Sequence, residues 1–367
     1  MTMEMGLTHE LTQEQMMFQE SLQRVLRKSL PVDAIRRFAD GDATFNQTLW
    51  DQGVELGLSG LLVPEEHGGT GLGMLEAALA AEALGNAAAP MPFAGPCVMA
   101  PQAVRLYAQG ETQAHWLRQI ATGDARIAVV FTSRLSGQTG NGLLEAQGER
   151  LSGGVASVMD CAGATHILTV LGDGRAGLVE AGTEGCIATS RRSLDRTRPL
   201  TDLRFDKARI QWLGNANPEA AGRVLAAGRL ALAADSLGAA QNMFDKAVAY
   251  AGEREQFGRI IGSYQGVKYM CADMVTALEP CRAMVWHGGN AQEGDALDVQ
   301  VTSCHVKAHV SDVARMVARV ATEVHGGIGF TDLLGLHYWL RRISFNRQVL
   351  GSAEMCRLQA ARLQEFA

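Results

Sequence analysis

Two arginines, two glutamines and two glycines crowd the stretch REQFGRIIGSYQ, residues 254–265, directly after an alanine-rich run with helical spacing. Arg254 offers a planar guanidinium whose paired N–H groups match the oxygens of a phosphate or pyrophosphate. Gln256 and Gln265 add planar amides, and Gly258 and Gly262 let the backbone turn. Binding of a phosphorylated ligand beside a helix end is the chemistry such a set can perform, although on spacing alone an interhelical ion pair with local caps is the simpler account. A second interruption, EVHGGIGF at 323–330, places Gly326, Gly327 and Gly329 where backbone amides can approach an anion closely. Two breaks in one bundle can converge on one extended anionic cofactor. His325, between them, reads as a capped and satisfied histidine.

The elements that must position these breaks follow from periodicity. In LTQEQMMFQESLQRVLRKSLP (11–31), Met16, Met17, Leu22, Val25 and Leu26 share one helical face, with Thr12 as N-cap and Pro31 as terminator. A second helix is expected around Leu49–Leu56. The glycine-rich loop LGLSGLLVPEEHGGTGLG (56–73) turns sharply after it, and a third helix begins at Met74. From about residue 126 short β-prone runs alternate with glycine-bearing turns, the pattern of a compact antiparallel β domain ending near Leu213. Long helices return at roughly 219–253, 264–287, 299–325 and 350–365. The expected fold is therefore α+β: an N-terminal helical domain (1–125), a middle antiparallel β domain (126–215) and a C-terminal four-helix bundle (216–367).

Composition narrows the function. With 367 residues, 47% of them hydrophobic, the chain can bury large cores. No run reaches the roughly 20 apolar residues of a membrane span. The first residues, MTMEMGLTHELTQEQ, are acidic and polar, unlike a signal peptide, so a cytoplasmic protein is expected. The formal charge is −6 with both signs mixed along the chain, which argues against a nucleic-acid face. Seven cysteines stand without any CxxC pair and without a histidine at metal-ligand spacing, so reduced thiols are expected and no metal site.

REQFGRIIGSYQGVKYMCADM and EVHGGIGFTDLLGLHYWLRRI resemble the two flavin-binding signatures of the acyl-CoA dehydrogenases. The N-terminal LTQEQ helix, the GLLVPEEHGGTGLG loop and the helix–strand–helix order extend that resemblance over essentially the whole chain. It implies FAD at a subunit interface, an acyl-CoA substrate and oxidation of the thioester's Cα–Cβ bond, an oxidoreductase reaction on CH–CH. It further implies that Arg254 pairs with the flavin pyrophosphate and that Gln256, Phe257 and Gly258 line its path. Gln265 would reach the adenosine side, and Gly326 and Gly327 would bring amides near. Glu323 departs from the glutamine usual there, and its charge would repel a pyrophosphate unless it is protonated or turned away.

The catalytic half departs further. Where most members carry the glutamate base, this chain has Leu350. Where a minority carry it, just ahead of a retained, substrate-side arginine (Arg229), it has Gly228. Thr132 is kept in FTSRLSG, but the positions of the tryptophan and threonine that cover the flavin ring hold Ser157 and Met159. An intact arm with an eroded active site resembles the non-catalytic subunit of heteromeric acyl-CoA dehydrogenases of bacterial steroid side-chain degradation, heterotetramers in which a second subunit brings the base. Two alternatives stand beside that reading. One is a self-sufficient homotetrameric dehydrogenase, or a related flavoenzyme such as a monooxygenase or nitroalkane oxidase, with its base moved to Asp235 or Glu354. The other is a structural subunit that holds no flavin.

Overall fold

The computed structural model describes residues 11–132 and 144–366. The first helix, α1 (Gln13–Ser29), starts at the expected cap: Thr12 accepts from the Gln15 amide while the Gln15 side chain accepts from Thr12 N. Only Leu22 and Leu26 of its expected apolar face are buried, and Met16 and Met17 are exposed. Then come α2 (Val32–Asp40), α3 (Gln47–Glu55), α4 (Met74–Asn86), a six-residue π-helical turn (Ala94–Met99) leading into α5 (Ala100–Tyr107), and α6 (Gly110–Ala121).

Two four-stranded sheets form the middle of the chain. One orders β1 (Ile127–Phe131), β4 (His166–Val170), β5 (Ala176–Glu180) and β8 (Gln211–Trp212), and the other β2 (Leu144–Gln147), β3 (Arg150–Val158), β7 (Leu200–Arg209) and β6 (Cys186–Arg191). Among the described residues all pairings but one are antiparallel. The exception to the expected antiparallel domain is β1–β4, which pair in parallel from Ile127 with His166 to Phe131 with Val170. Between them the chain crosses to the second sheet as the β2–β3 hairpin and returns, so it re-enters running in the same direction.

The C-terminal part holds five α-helices among the described residues: α7 (Pro218–Glu253), α8 (Gln265–Asn290), α9 (Ala296–His325), α10 (Leu336–Gln348) and α11 (Ala353–Leu363). The fourth of these, α10, is the one absent from the four-helix expectation. Helix α7 packs on α4 so closely that the backbones touch. A Cβ on Gly85 would stand 1.9 Å from Asp235 O, and one on Gly238 1.8 Å from Glu82 O. The alanine-rich sequences of both helices permit this approach, and either glycine changed to alanine would force the pair apart.

Candidate functional site

The first break in the bundle folds into an arm. After α7 the chain becomes extended at Arg254 and forms a hairpin, β9 (Glu255–Gln256) against β10 (Arg259–Ile260). Phe257 and Gly258 make its turn, both at positive φ (51° and 78°), as a type I′ turn requires. Glycine takes that backbone freely; phenylalanine there costs on the order of 1–2 kcal/mol. Nothing in this chain repays the cost by packing, because Phe257 is 94% exposed. The arm is nevertheless braced: Tyr264 Oη donates to Gln256 O at 3.0 Å, the Arg259 guanidinium lies 3.8 Å over the Tyr264 ring, and Ile261 N donates to Arg254 O at 2.7 Å. A Cβ on Gly262 would come within 2.7 Å of Ala251 O, so this glycine lets the arm return flush against α7. The Arg254 guanidinium is exposed and has no ion pair or hydrogen bond among the described residues. Gln265, also exposed, opens α8.

The second break lies beside the first. Tyr250, one turn before Arg254, stacks on His325, the last residue of α9, with ring centroids 4.7 Å apart. His325 is buried, with Nδ1 2.7 Å from Ala321 O, and burial lowers its pKa, so it is the satisfied, neutral histidine that was expected. Gly326 follows at φ 63°, and a Cβ on Gly258, Gly326 or Gly327 would meet nothing within 4 Å. Glu323 forms an ion pair with Arg319 at 2.7 Å, which sets a cation beside its carboxylate within α9. A guanidinium without a partner among the described residues, open glycine backbone and an arginine-paired glutamate side by side fit an extended phosphorylated ligand.

The other half of the site is closed. A Cβ built on Gly228 would stand 2.7 Å from Leu350 Cδ1 and 2.4 Å from Met99 Sδ, so positions 228 and 350 face one point in space, and apolar side chains fill it. Leu350 holds a left-handed backbone (φ 59°) and is buried. Its carbonyl accepts from Arg229 Nε at 2.8 Å. The hollow between Phe131, Val155, Ser157, Val158, Met159 and Leu350 encloses only about 20 Å³, room for about one water. Ser157 is exposed, whereas Met159 belongs to the core. Thr132 Oγ1 is buried without a partner among the described residues, and residues 133–137 of FTSRLSG lie outside them.

Three sequence-derived candidates change meaning in this setting. Asp235 is no exposed helix carboxylate. It is buried, receiving Asn346 Nδ2 at 2.7 Å, Arg198 Nη2 at 3.0 Å and Arg342 Nη1 at 3.1 Å. Its oxygens are committed to two guanidiniums, which leaves none for a substrate proton. Glu354 is exposed and paired with Arg347. Its own backbone amide, Ser352 and Arg347 hold its carboxyl down at about 2, too low for a proton acceptor near neutral pH. Arg229, expected on the substrate side, is buried and bonds Leu350 O, Cys304 Sγ (3.1 Å) and Gln359 Oε1 (2.8 Å), tying α7 to α9 and α11.

Residues 12–124 match the family profile for the acyl-CoA dehydrogenase N-terminal domain, and residues 219–364 match that for the acyl-CoA dehydrogenase C-terminal domain. The chain belongs to the acyl-CoA dehydrogenase family. It is 27% identical over 383 residues to the probable acyl-CoA dehydrogenase YngJ of Bacillus subtilis, covering 97% of this chain and 99% of that one. Against the acyl-CoA dehydrogenase IpdE2 of Mycolicibacterium smegmatis the identity is 26%, covering 93% and 96%. Among solved structures, the Tcur3481-Tcur3483 steroid ACAD superposes with a TM-score of 0.86 at 25% identity, covering 96% of this chain and 98% of that one. Butyryl-CoA dehydrogenase of Megasphaera elsdenii shares the acyl-CoA dehydrogenase fold with a TM-score of 0.88 at 22% identity, covering 97% and 99%.

Several residues that shape this acyl-CoA dehydrogenase site carry no sequence signal of their own. Met99 reads as an ordinary core residue, yet it plugs position 228. Asp160, Asp195, Arg198 and Arg342 read as surface charges, yet they build a buried network. Arg198 bridges Asp160 at 2.9 Å and Asp235 at 3.0 Å, Arg342 bridges Asp195 at 2.5 Å and Asp235, and Gly95 N donates to Asp160 at 2.9 Å. The network joins the π turn, the β domain and two helices of the bundle beneath the closed hollow. Lys307 is buried with a single hydrogen-bond partner among the described residues, the Asn346 carbonyl, and burial lowers its pKa to about 7. Between that value and its ordinary 10.5 the unfolded chain holds a proton that the folded chain lacks, so stability rises with pH through this window and the full penalty is present below it. Lys307→Met is expected to stabilise the protein by a few kcal/mol at about pH 7. Paired denaturant titrations are expected to show that advantage shrinking as pH approaches about 10.

Proposed function

We propose that this chain is the non-catalytic subunit of a flavin-dependent acyl-CoA dehydrogenase, completing the FAD site of an unlike partner subunit in a heterotetramer. The asymmetry of the site carries the reading: the arm has a free Arg254 and a strained, outward Phe257, while both places for a base hold apolar or absent side chains in a filled hollow. A homotetramer with a relocated base loses its support, because Asp235 is bound to two arginines and Glu354 is paired at the surface.

In this assignment Arg254 holds the pyrophosphate with its guanidinium fork. Gln256, Phe257 and Gly258 line the cofactor's path, Gln265 reaches its adenosine side, and Gly326 and Gly327 present backbone amides. Glu323 is kept from repelling the phosphates by Arg319. When bound, FAD supplies the acceptor for the hydride that leaves the acyl Cβ. This chain's part is to bind and orient, and the partner provides the glutamate that takes the α-proton. Arg229 contributes by fixing the Leu350 turn rather than by touching substrate. The steroid side-chain thioester is proposed by analogy with the Tcur3481-Tcur3483 steroid ACAD. A cytoplasmic setting accords with seven cysteines that are all free thiols.

Restoring the missing carboxylate tests the closed half. Leu350→Glu, made in the chain alone, is expected to give no acyl-CoA oxidation above background, because the new side chain meets Met99 and an arginine-tied backbone instead of a cleft. Measurable turnover by that variant with an artificial electron acceptor would show that the chain holds an acyl site of its own, against the proposal.

A further inference from the structure

On α9 two histidines stand one turn apart, His305 and His309. Both are exposed, whereas their neighbours on the inner face, Cys304, Val306, Lys307 and Ala308, are buried. Side chains at i and i+4 lie above one another on the same helical face, about 5–6 Å apart at Cβ. That is the reach at which two imidazoles can hold one metal ion between them. Neither ring has a hydrogen bond, ion pair or ring contact among the described residues, so binding an ion breaks nothing. Asp312 shares this face one turn further along, but it is drawn away to Arg357 and to Arg347 at 3.5 Å. The absence of any group of three or more His, Cys, Asp and Glu suited to a metal among the described residues is explained in part by that diversion. The pair corrects the expectation that no histidine stands at metal-ligand spacing, since His305 and His309 are four residues apart on one helix.

We infer that His305 and His309 form a bidentate site for a late first-row divalent ion, Zn²⁺, Ni²⁺ or Cu²⁺, whose remaining positions face outward and are filled by water or a donor from another molecule. Two neutral nitrogens select this class over Mg²⁺ and Ca²⁺, which take oxygen ligands. Affinity follows the order Ni²⁺ below Cu²⁺ and Zn²⁺ below Cu²⁺. Acid weakens binding, because each imidazole must be neutral to ligate. The site lies away from the flavin arm and stands whether or not the chain completes a partner's cofactor site.

The test is calorimetric titration of the untagged full chain, and of the complex with its partner, using NiCl₂ and ZnCl₂, with MgCl₂ as control. One Ni²⁺ per chain, no response to Mg²⁺, and a melting temperature raised by Ni²⁺ are expected. His305→Ala and His309→Ala each weaken binding by roughly tenfold or more, since either removes the chelate, and the double variant abolishes the one-per-chain isotherm while its circular dichroism and flavin content stay those of the parent. Unchanged stoichiometry and affinity in the double variant would overturn the inference by placing the ion elsewhere, as would absence of any Ni²⁺ binding to the parent chain.

Discussion

Arg254→Ala, co-expressed with the partner subunit, yields an assembly of unchanged mass that has lost most of its flavin. Among the described residues the guanidinium has no ion pair or hydrogen bond, so its removal breaks none of their side-chain contacts. What is lost is a charge-assisted hydrogen-bonded pair to phosphate, about 1.5–3 kcal/mol, or roughly 10–150-fold in FAD affinity. Lysine at the same position restores the charge without the fork, so Arg254→Lys recovers part of the affinity. FAD absorbance per complex after exhaustive dialysis reads the effect, and added FAD restores turnover. Full flavin content and turnover in Arg254→Ala would favour a structural subunit that holds no cofactor. A fall in flavin accompanied by dissociation would instead assign Arg254 to the subunit interface.

Asp235→Ala is expected to cost about 3–5 kcal/mol, because it leaves two buried guanidiniums, Arg198 and Arg342, without one of their counter-charges. The loss falls at the junction of α7, α10 and the β domain, where Asn346 also loses its acceptor. Denaturant unfolding of the purified variant, or its failure to accumulate as folded protein, reads this directly. Asp235→Asn keeps the shape and part of the hydrogen bonding, and its destabilisation is expected to fall between parent and alanine variant. The same pair of variants separates structure from catalysis. A base at Asp235 would give an Asp235→Asn protein of parental stability and no turnover, whereas a network residue gives a destabilised protein.

Much of this was legible from the residues. The arm is readable because its glycines, arginine and glutamines are chemically distinctive at a helix end, and α7 because thirty-six residues hold one alanine-rich pattern. Helix α10 was not, and the reason is physical. Its buried face includes Arg342 and Asn346, which look like surface residues until the carboxylates they meet are in place. Asp235 misleads in the same way, since a sequence shows a carboxylate but not the two arginines that claim it, one from the β domain and one from α10. The exposed Met16 and Met17 mark the opposite failure, apolar residues placed correctly on a helix whose buried stripe is narrower than their pattern. The parallel β1–β4 pairing arises from a chain crossing between sheets, which local alternation cannot encode.

The central claim is that this arm serves another chain's flavin, and FAD stoichiometry measured with oligomeric mass tests it most directly. The chain purified alone is predicted to be colourless and to turn over no acyl-CoA. Co-purified with its partner dehydrogenase subunit, it is predicted to form a yellow heterotetramer with one flavin for each pair of unlike chains. A fully flavinated homotetramer that oxidises an acyl-CoA by itself would contradict the account.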